Sequence, residues 1–458
     1  MKHLGALSLA LAGLLFEPSA QAAEDLVSAW RAAQDHDAVF ASARAQWQAG
    51  RTRQRQSQAL FMPQVSVNGS VGAVSMDRDT RGAQFGAPGF GSANDAQFRT
   101  KIDAGMASNV AVVARKPLYN AELEANASQL ERQAELAELQ YRSAEQELIL
   151  RTAQAYFAVL LSEESLANVE SQKRASAHAL EVARESFDAG ALPVTDRNEA
   201  QARYDDLSSQ QLAAESDLRI KRSALSDLSG SSAAELKKPA PDTVFERYAV
   251  APLAEWSQRA EQRNILLAMQ RLGQDIARDE VAKYRSLVSP SLDLVAQVAD
   301  ERMSGSNSFG TTRITSTAAT VGLQFSIPLF TGGMRGARHD EAVALAEKAR
   351  FDAEALRREV LRQTEVAWLS VTNGLAQIRA QEQAVKSAAA RLDATETGQE
   401  VGARTRLDLV NAQADLHRSQ LRLAQSRLQL LLGRLQLAAT AGELSERDVQ
   451  AVNAILSR

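Results

Sequence analysis

The chain has 458 residues, no cysteine, and 52 Lys plus Arg against 56 Asp plus Glu for a net charge of −4. The missing cysteine excludes disulfides, thiolate metal sites, cysteine nucleophiles and an acylated lipoprotein start. With a pI near 5.9 and charges of both signs interspersed, no basic face is left for nucleic acid.

Residues 1–22 read as a secretory signal: Lys2, an apolar run from Leu4 to Phe16, the break at Pro18 and the small-residue site Ala20-Gln21-Ala22. A buried first helix is the alternative. The apolar run is too short to span a bilayer, and the mature chain is expected to begin near Ala23. Ten prolines punctuate the chain, because proline breaks helix interiors. The proline-free stretches predict helices over about 24–60, 119–189, 196–229, 253–287, 331–401 and 407–440. At a 1.5 Å rise the two longest, about 70 residues each, would reach roughly 105 Å, and the shorter ones about half of that. Many of their apolar positions are alanine, which favours close lateral packing with shallow knobs.

The order of elements is written twice. Gly190, Ala191, Leu192, Pro193, Val194, Thr195 and Asp196 return at an offset of 212 as Gly402, Ala403, Arg404, Thr405, Arg406, Leu407 and Asp408. The same offset pairs Thr152, Ala155, Tyr156 and Val159 with Thr364, Ala367, Trp368 and Val371, and Pro117-Leu118-Tyr119 answers Pro328-Leu329-Phe330. Such copies predict a pseudo-symmetric architecture. Its parts are a first repeat at 23–230, a linker at 231–252, a second repeat at 253–440 and a C-terminal segment at 441–458.

Between the helices the period changes to two. Residues 63–74, 104–117, 290–301 and 314–327 alternate, most cleanly where Val321, Leu323, Phe325 and Ile327 oppose Thr320, Gly322, Gln324 and Ser326. A half-buried soluble sheet gives the same alternation. Two hairpins (63–117 and 290–328), each with a polar, glycine-bearing connection (Asp77 to Arg99, and Arg302 to Arg313), favour a membrane barrel. Four strands cannot close a barrel, and open edges are not tolerated in hydrocarbon, so the chain is expected to oligomerise. Two copies give eight strands and a filled interior; three give twelve strands and a pore.

Signal, helix, hairpin, long helix, Gly-x5-Asp turn and return helix, all repeated, with Pro-Leu-Phe-Thr-Gly-Gly at 328–333 and Val-Gly-Ala-Arg-Thr at 401–405, resemble the TolC-type outer-membrane channel family. The resemblance covers essentially the whole mature chain and is nearest to the non-lipidated branch. It implies a mixed α and β membrane protein: a trimer with a 12-stranded transmembrane β-barrel, continuous with a helical coiled-coil tunnel across the periplasm. The linker and C-terminal segment would form an equatorial belt. The implied partners are two further copies of the chain, outer-membrane lipid, a periplasmic adaptor and an inner-membrane ABC or proton-driven transporter.

The resemblance also implies site roles. Asp408, Asn411, Arg404, Thr195 and Asp196 correspond to a periplasmic entrance gate, with Asn411 an amide where the family pattern has a second carboxylate and Gln399 standing where it has an aromatic. Gly190, Ala191, Leu192, Gly402 and Ala403 correspond to an adaptor-docking tip, where the glycines also satisfy the backbone demands of a helix reversal. Asp196 and Asp408 equally suit the first turn of a helix. Pro117, Pro328, Gly332 and Gly333 mark the junction of barrel and helix.

No enzyme signature competes with this reading. The five histidines are dispersed, and Gly332-Gly333-Met334-Arg335-Gly336 lacks the Lys-Ser/Thr of a phosphate loop, so no metal or cofactor is expected. The expected function is the exit duct of a tripartite exporter, foremost for type I protein secretion. A multidrug efflux duct of the same architecture is the alternative. A diffusion porin would not need such helices, and a periplasmic coiled-coil scaffold would not need amphipathic hairpins.

Overall fold

The computed structural model describes residues 24–89, 91–232, 235–240, 245, 250–285, 289–307 and 310–456. The expected secretory signal, 1–22, and parts of the 231–252 linker lie outside the described residues. In chain order the elements are α1 (Leu26–His36), α2 (Ala38–Ala59), β1 (Gln64–Ala87), β2 (Gly91–Asn120), α3 (Ala121–Asp188), α4 (Val194–Ser229), α5 (Leu253–Arg263) and α6 (Ile265–Tyr284), followed by β3 (Ser291–Asn307), β4 (Gly310–Ser326), α7 (Met334–Glu400), α8 (Arg406–Thr440) and α9 (Glu446–Leu456).

Two of the expected single helices are each two. The 24–60 stretch breaks at Asp37 and the 253–287 stretch at Asn264, both with ψ near 120°. Neither break is made by proline or glycine. Each side chain instead caps the following helix, Asp37 accepting from the Phe40 N–H at 2.8 Å and Asn264 from the Leu267 N–H at 3.0 Å. Arg151 then holds the buried Asp37 at 2.7 Å. Burial alone would raise the Asp37 pKa, but the Arg151 guanidinium and the cap bond keep it below the ordinary carboxylate range.

The chain forms two units. One, Trp47–Glu138 with Met269–Glu354, contains the sheet, a four-stranded antiparallel array in the order β1-β2-β3-β4. Cross-strand register sorts its residues onto two faces. On one, successive rows are Lys116-Leu294-Leu323, Val65-Ala114-Ala296-Val321 and Val67-Val112-Val298-Ala319. These apolar side chains are open to the surroundings: Val321 is 77% exposed and Val67 70%. The opposite face carries Ser66, Asn68, Asn109, Gln297, Thr320 and Gln324. An apolar band exposed on one side of a sheet whose other side is polar is the pattern of a barrel wall with lipid outside and water inside.

The strands are longer than the alternation implied. The segment expected to connect the first hairpin, Asp77 to Arg99, is mostly strand, because β1 and β2 stay paired out to Ala87 and Gly91. Pairing of β2 with β3 begins only at Ala104, so residues 76–87 and 91–102 form a two-stranded ribbon beyond the four-stranded part. Cross-strand contacts hold it: Arg99 with Asp77 at 2.5 Å, and Phe85 with Phe98 at 5.9 Å between ring centroids. β3 and β4 likewise pair through the expected 302–313 connection, as far as Asn307 and Gly310.

The other unit comprises the chain up to Gln46, Leu139–Ala268 and the chain from Ala355. Its core is built twice from equivalent residues. Thr152 and Thr364, both fully buried, bond the carbonyls of Leu148 and Val360 at 2.8 Å, and Val159 and Val371 are fully buried about two turns further along the same helix face. Tyr156 and Trp368 anchor connecting chain: the Tyr156 hydroxyl lies 2.9 Å from the Glu24 and Lys237 carbonyls, and Trp368 Nε1 donates to the Ala251 carbonyl at 2.9 Å. Burial raises the Tyr156 pKa far above its ordinary value, so this hydroxyl remains a donor. The end of α9 closes on the start of α1, with Asn453 Oδ1 accepting from the Leu26 N–H at 3.0 Å.

Candidate functional site

Two helix reversals, α3 to α4 and α7 to α8, carry most of the residues singled out in the sequence. Both lie in the unit that excludes the sheet. A helix of this length must satisfy its last carbonyls, and both ends do so in the same way. The Gly190 N–H bonds the Phe187 carbonyl at 2.8 Å and the Ala191 N–H the Ser186 carbonyl at 2.7 Å. At the matching positions Gly402 bonds Gln399 at 3.0 Å and Ala403 bonds Gly398 at 2.8 Å. This is the Schellman arrangement, which needs a left-handed residue; Gly190 has φ +73° and Gly402 φ +77°. Gly190, Ala191, Gly402 and Ala403 are exposed, and Leu192 is half-buried.

The return helices start differently, and the difference decides what each carboxylate does. In the second repeat Thr405 is the N-cap and Asp408 the third helical residue. Thr405 Oγ1 accepts from the Asp408 N–H at 3.1 Å, while Asp408 Oδ2 accepts from the Thr405 N–H at 2.9 Å and from its hydroxyl at 2.8 Å. These bonds, with the nearby Arg404 charge, hold the Asp408 carboxyl below its ordinary range. In the first repeat the N-cap is Pro193, which has no side-chain acceptor. Asp196 therefore closes no box; its Oδ1 accepts from the Thr195 hydroxyl at 3.1 Å, and both residues are exposed.

Arg404 folds back on the end of α7: a Cβ at Gly398 would fall 2.8 Å from its Cγ. Among the described residues of one chain no ion pair joins Arg404 to Asp196. Asn411 lies exposed one turn beyond Asp408. The first reversal is braced by Arg197 over the Phe187 ring at 4.4 Å. Gln399 and Leu409, the counterparts of Phe187 and Arg197, cannot make this contact. Sequence reading passed over Thr405 as a cap, although the Thr-x-x-Asp signature of a capping box stood there.

The junction residues are also asymmetric. Pro117 pairs with Asp293 next to a β-bulge in β2, the register shift falling between Pro117 and Tyr119. Two residues earlier Arg115 reaches Asp293 at 2.5 Å on the polar face. Asn120 then caps α3 through its side chain, accepting from the Glu122 and Leu123 N–H groups at 3.0 and 3.2 Å. At the other hairpin Pro328 follows the end of β4, and Gly332 and Gly333, with φ of +63° and +81°, turn the chain into α7. β2 thus runs directly into α3, its last residues paired with β3 alone, whereas β4 ends at Ser326 and a short connection precedes α7.

Comparison with known proteins gives this architecture a family. Residues 30–231 and 256–443 match the outer membrane efflux protein family. The chain is 29% identical over 440 residues to the outer membrane protein TolC of Vibrio cholerae, covering 95% of this chain and 94% of that one. It is 30% identical to the alkaline protease secretion protein AprF of Pseudomonas aeruginosa, over 74% of this chain and 70% of the other. Among solved structures, the outer membrane protein VceC of Vibrio cholerae superposes with a TM-score of 0.72 over 91% of this chain and 96% of its own, at 17% identity, a likeness of fold. The members of the family are channels and not enzymes. From the doubled helix-hairpin order, the amphipathic sheet and these matches together, the chain belongs to the outer membrane efflux protein family and resides in the Gram-negative outer membrane.

Proposed function

We propose that three copies of this chain form the exit duct of a tripartite exporter serving type I protein secretion, docking on a periplasmic adaptor and an ATP- or proton-driven inner-membrane transporter. The observation that carries this reading is the sheet, apolar on one face, polar on the other and, among the described residues, unpaired at the outer edges of β1 and β4. In hydrocarbon those edges need partners, and a neighbouring copy supplies them by pairing its β1 with this β4. Twelve strands at about 4.8 Å spacing and roughly 40° tilt enclose a backbone circle about 24 Å across, enough for a water-filled lumen. The similarity to a protease secretion protein supports protein cargo. The efflux designation of the family supports small-molecule export as the second reading.

In this duct the reversals face the periplasm. Asp408, Asn411, Arg404, Thr195 and Asp196 serve as the entrance gate, and Gly190, Ala191, Leu192, Gly402 and Ala403 as the adaptor-facing tip. Pro117, Pro328, Gly332 and Gly333 carry the chain between barrel and tunnel. The deciding experiment compares the culture-medium proteome of the source bacterium with and without this chain. Loss of one or a few large proteins is expected; an unchanged medium with raised sensitivity to dyes and detergents would transfer the reading to drug efflux.

The gate assignment has its own test in planar bilayers. Arg404→Ala is expected to raise single-channel conductance by a factor of about two or more, because in this reading each Arg404 links to the turn at Thr195 and Asp196 of a neighbouring copy, and three such exposed links, each worth about 0–1 kcal/mol, close the entrance together. Asp408→Asn tests the charge with an amide oxygen still present for the cap. Asp408 has a lowered pKa, so its cap is fully formed above the ordinary carboxylate range and is lost only as pH falls through the lower folded value. Any conductance difference between wild type and Asp408→Asn should therefore stay constant from pH 8 to pH 5, about one unit above that range. Unchanged conductance in Arg404→Ala and Asp408→Asn alike would remove these residues from the gate.

A further inference from the structure

The outward face of the sheet is not apolar to its end. Beyond the row Val67-Val112-Val298-Ala319 come Gly69-Val110-Asp300-Thr317, then Val71-Ser108-Arg302-Thr315, then Ala73-Met106-Ser304-Arg313. Along this face of the four paired strands the basic residues are Lys116, at the end nearest the helices, and Arg302 and Arg313, at the end nearest the hairpin turns. Arg302 pairs across to Thr315 and Arg313 to Ser304, so the two arginines are diagonal neighbours on adjacent strands. Diagonal positions lie about 7–8 Å apart, a spacing at which two guanidinium groups can hold one phosphate between them.

The surroundings fit a lipid better than a free ion. Arg302, Arg313, Ser108, Ser304, Thr315, Met106 and Val71 are among the residues lining a groove of about 620 Å³. Val71 and Met106 are 71% and 62% exposed, which offers apolar surface for acyl chains directly beside the charges. Asp300 holds one side of Arg302 at 3.0 Å and offsets one positive charge. Arg313 has no ion-pair partner among the described residues, which leaves the groove net positive. Four spacings of about 6.8 Å separate the Lys116 row from the Arg302 row, near 20 Å once the strands tilt by roughly 40°, so the arginine rows fall at the head-group level of a bilayer centred on the band between them.

We infer that Arg302 and Arg313 form a binding site for the phosphate of a phosphorylated glycolipid in the outer leaflet, whose acyl chains lie along Val71 and Met106. The hydroxyls of Ser108, Ser304 and Thr315 supply neutral donors to the same head group. The inference rests on the sheet facing lipid with its hairpin turns outward. With three copies closing the barrel, the site occurs three times around its outer rim and fastens the barrel at one depth.

The test uses the detergent-purified full-length trimer and two probes, bisphosphorylated lipid A and the same lipid after enzymatic removal of its phosphates. Binding is read by native mass spectrometry and by thermal shift. The phosphorylated lipid is expected to bind at least tenfold more tightly than the dephosphorylated one, and that preference should disappear in Arg302→Gln/Arg313→Gln. Arg81→Gln, on the ribbon outside the four-stranded part, should retain it. Equal binding of the two lipids to the wild-type trimer would overturn the site without need of any variant. An equal loss in Arg81→Gln would also overturn it, by showing general charge attraction. Failure of the lipid-facing assignment itself shows separately, in the responses to Val321→Arg and Thr320→Arg.

Discussion

Gly442→Ala is expected to lose most of the folded, protease-resistant trimer, with a destabilisation of about 3–5 kcal/mol per chain, at the upper end of what single substitutions do. Two effects combine at this position. Gly442 ends α8 with φ +72°, a conformation that costs a residue with a Cβ about 1–2 kcal/mol. An alanine Cβ would in addition fall 2.0 Å from the carbonyl oxygen of Arg263 and 2.6 Å from its carbonyl carbon. The obstacle is backbone at the α5–α6 break, which is itself tied to α8 by Asn264 Nδ2 donating to the Thr440 carbonyl at 2.8 Å. It cannot move aside as a flexible side chain would. Gly190→Ala is the control, since Gly190 has nearly the same φ but nothing within 4 Å of the added Cβ. Its loss should be only the torsional part, about 1–2 kcal/mol. Thermal denaturation of the purified proteins in detergent separates the two, and equal melting temperatures would contradict the packing argument.

Val321→Arg is expected to abolish insertion of the barrel, whereas Thr320→Arg is expected to leave folded trimer in the outer membrane. The two residues are adjacent in β4, so they point to opposite faces. Val321 belongs to the row Val65-Ala114-Ala296-Val321 in the middle of the apolar band. An arginine facing lipid at that depth costs about 2–4 kcal/mol, and a trimer incurs it three times. At Thr320 the same charge meets the water-filled side, where it should change ion selectivity and not assembly. Outer-membrane fractionation followed by heat-modifiability on gels reads both outcomes. Tolerance of Val321→Arg together with failure of Thr320→Arg would reverse the assignment of faces.

Much of the fold was legible because its demands are local. The 212-residue offset, the glycines at both reversals and the alternation in β4 each reflect a torsion or a period that a residue carries with it into any context. The breaks at Asp37 and Asn264 carry neither proline nor glycine, so the punctuation of the chain does not reveal them. An Asx side chain reaching the N–H three residues on can interrupt a helical pattern without either. The ribbon of strands 76–87 and 91–102 shows no sustained apolar alternation in the sequence, and β3 does not pair with it there. What orders it is pairing between its own two strands, supported by Arg99 with Asp77 and Phe85 with Phe98.

The candidate site divides along the same line. Its positions came from the sequence, through the repeated Gly-x5-Asp and the resemblance it carries. The unlike engagement of its two acids came from the structure: Asp408 is taken up by a capping box with Thr405, while the Asp196 carboxylate, behind Pro193, accepts from the neighbouring Thr195 hydroxyl. By itself the sequence determined the doubled order of elements, the reversal points and the need for further copies, since backbone geometry and unpaired strand edges are properties of the chain alone. Only the tertiary structure decided which glycine is irreplaceable, which carboxylate is already bonded and where Arg302 and Arg313 meet. Those depend on distances between segments far apart in sequence, and such distances exist only once helices and strands have packed.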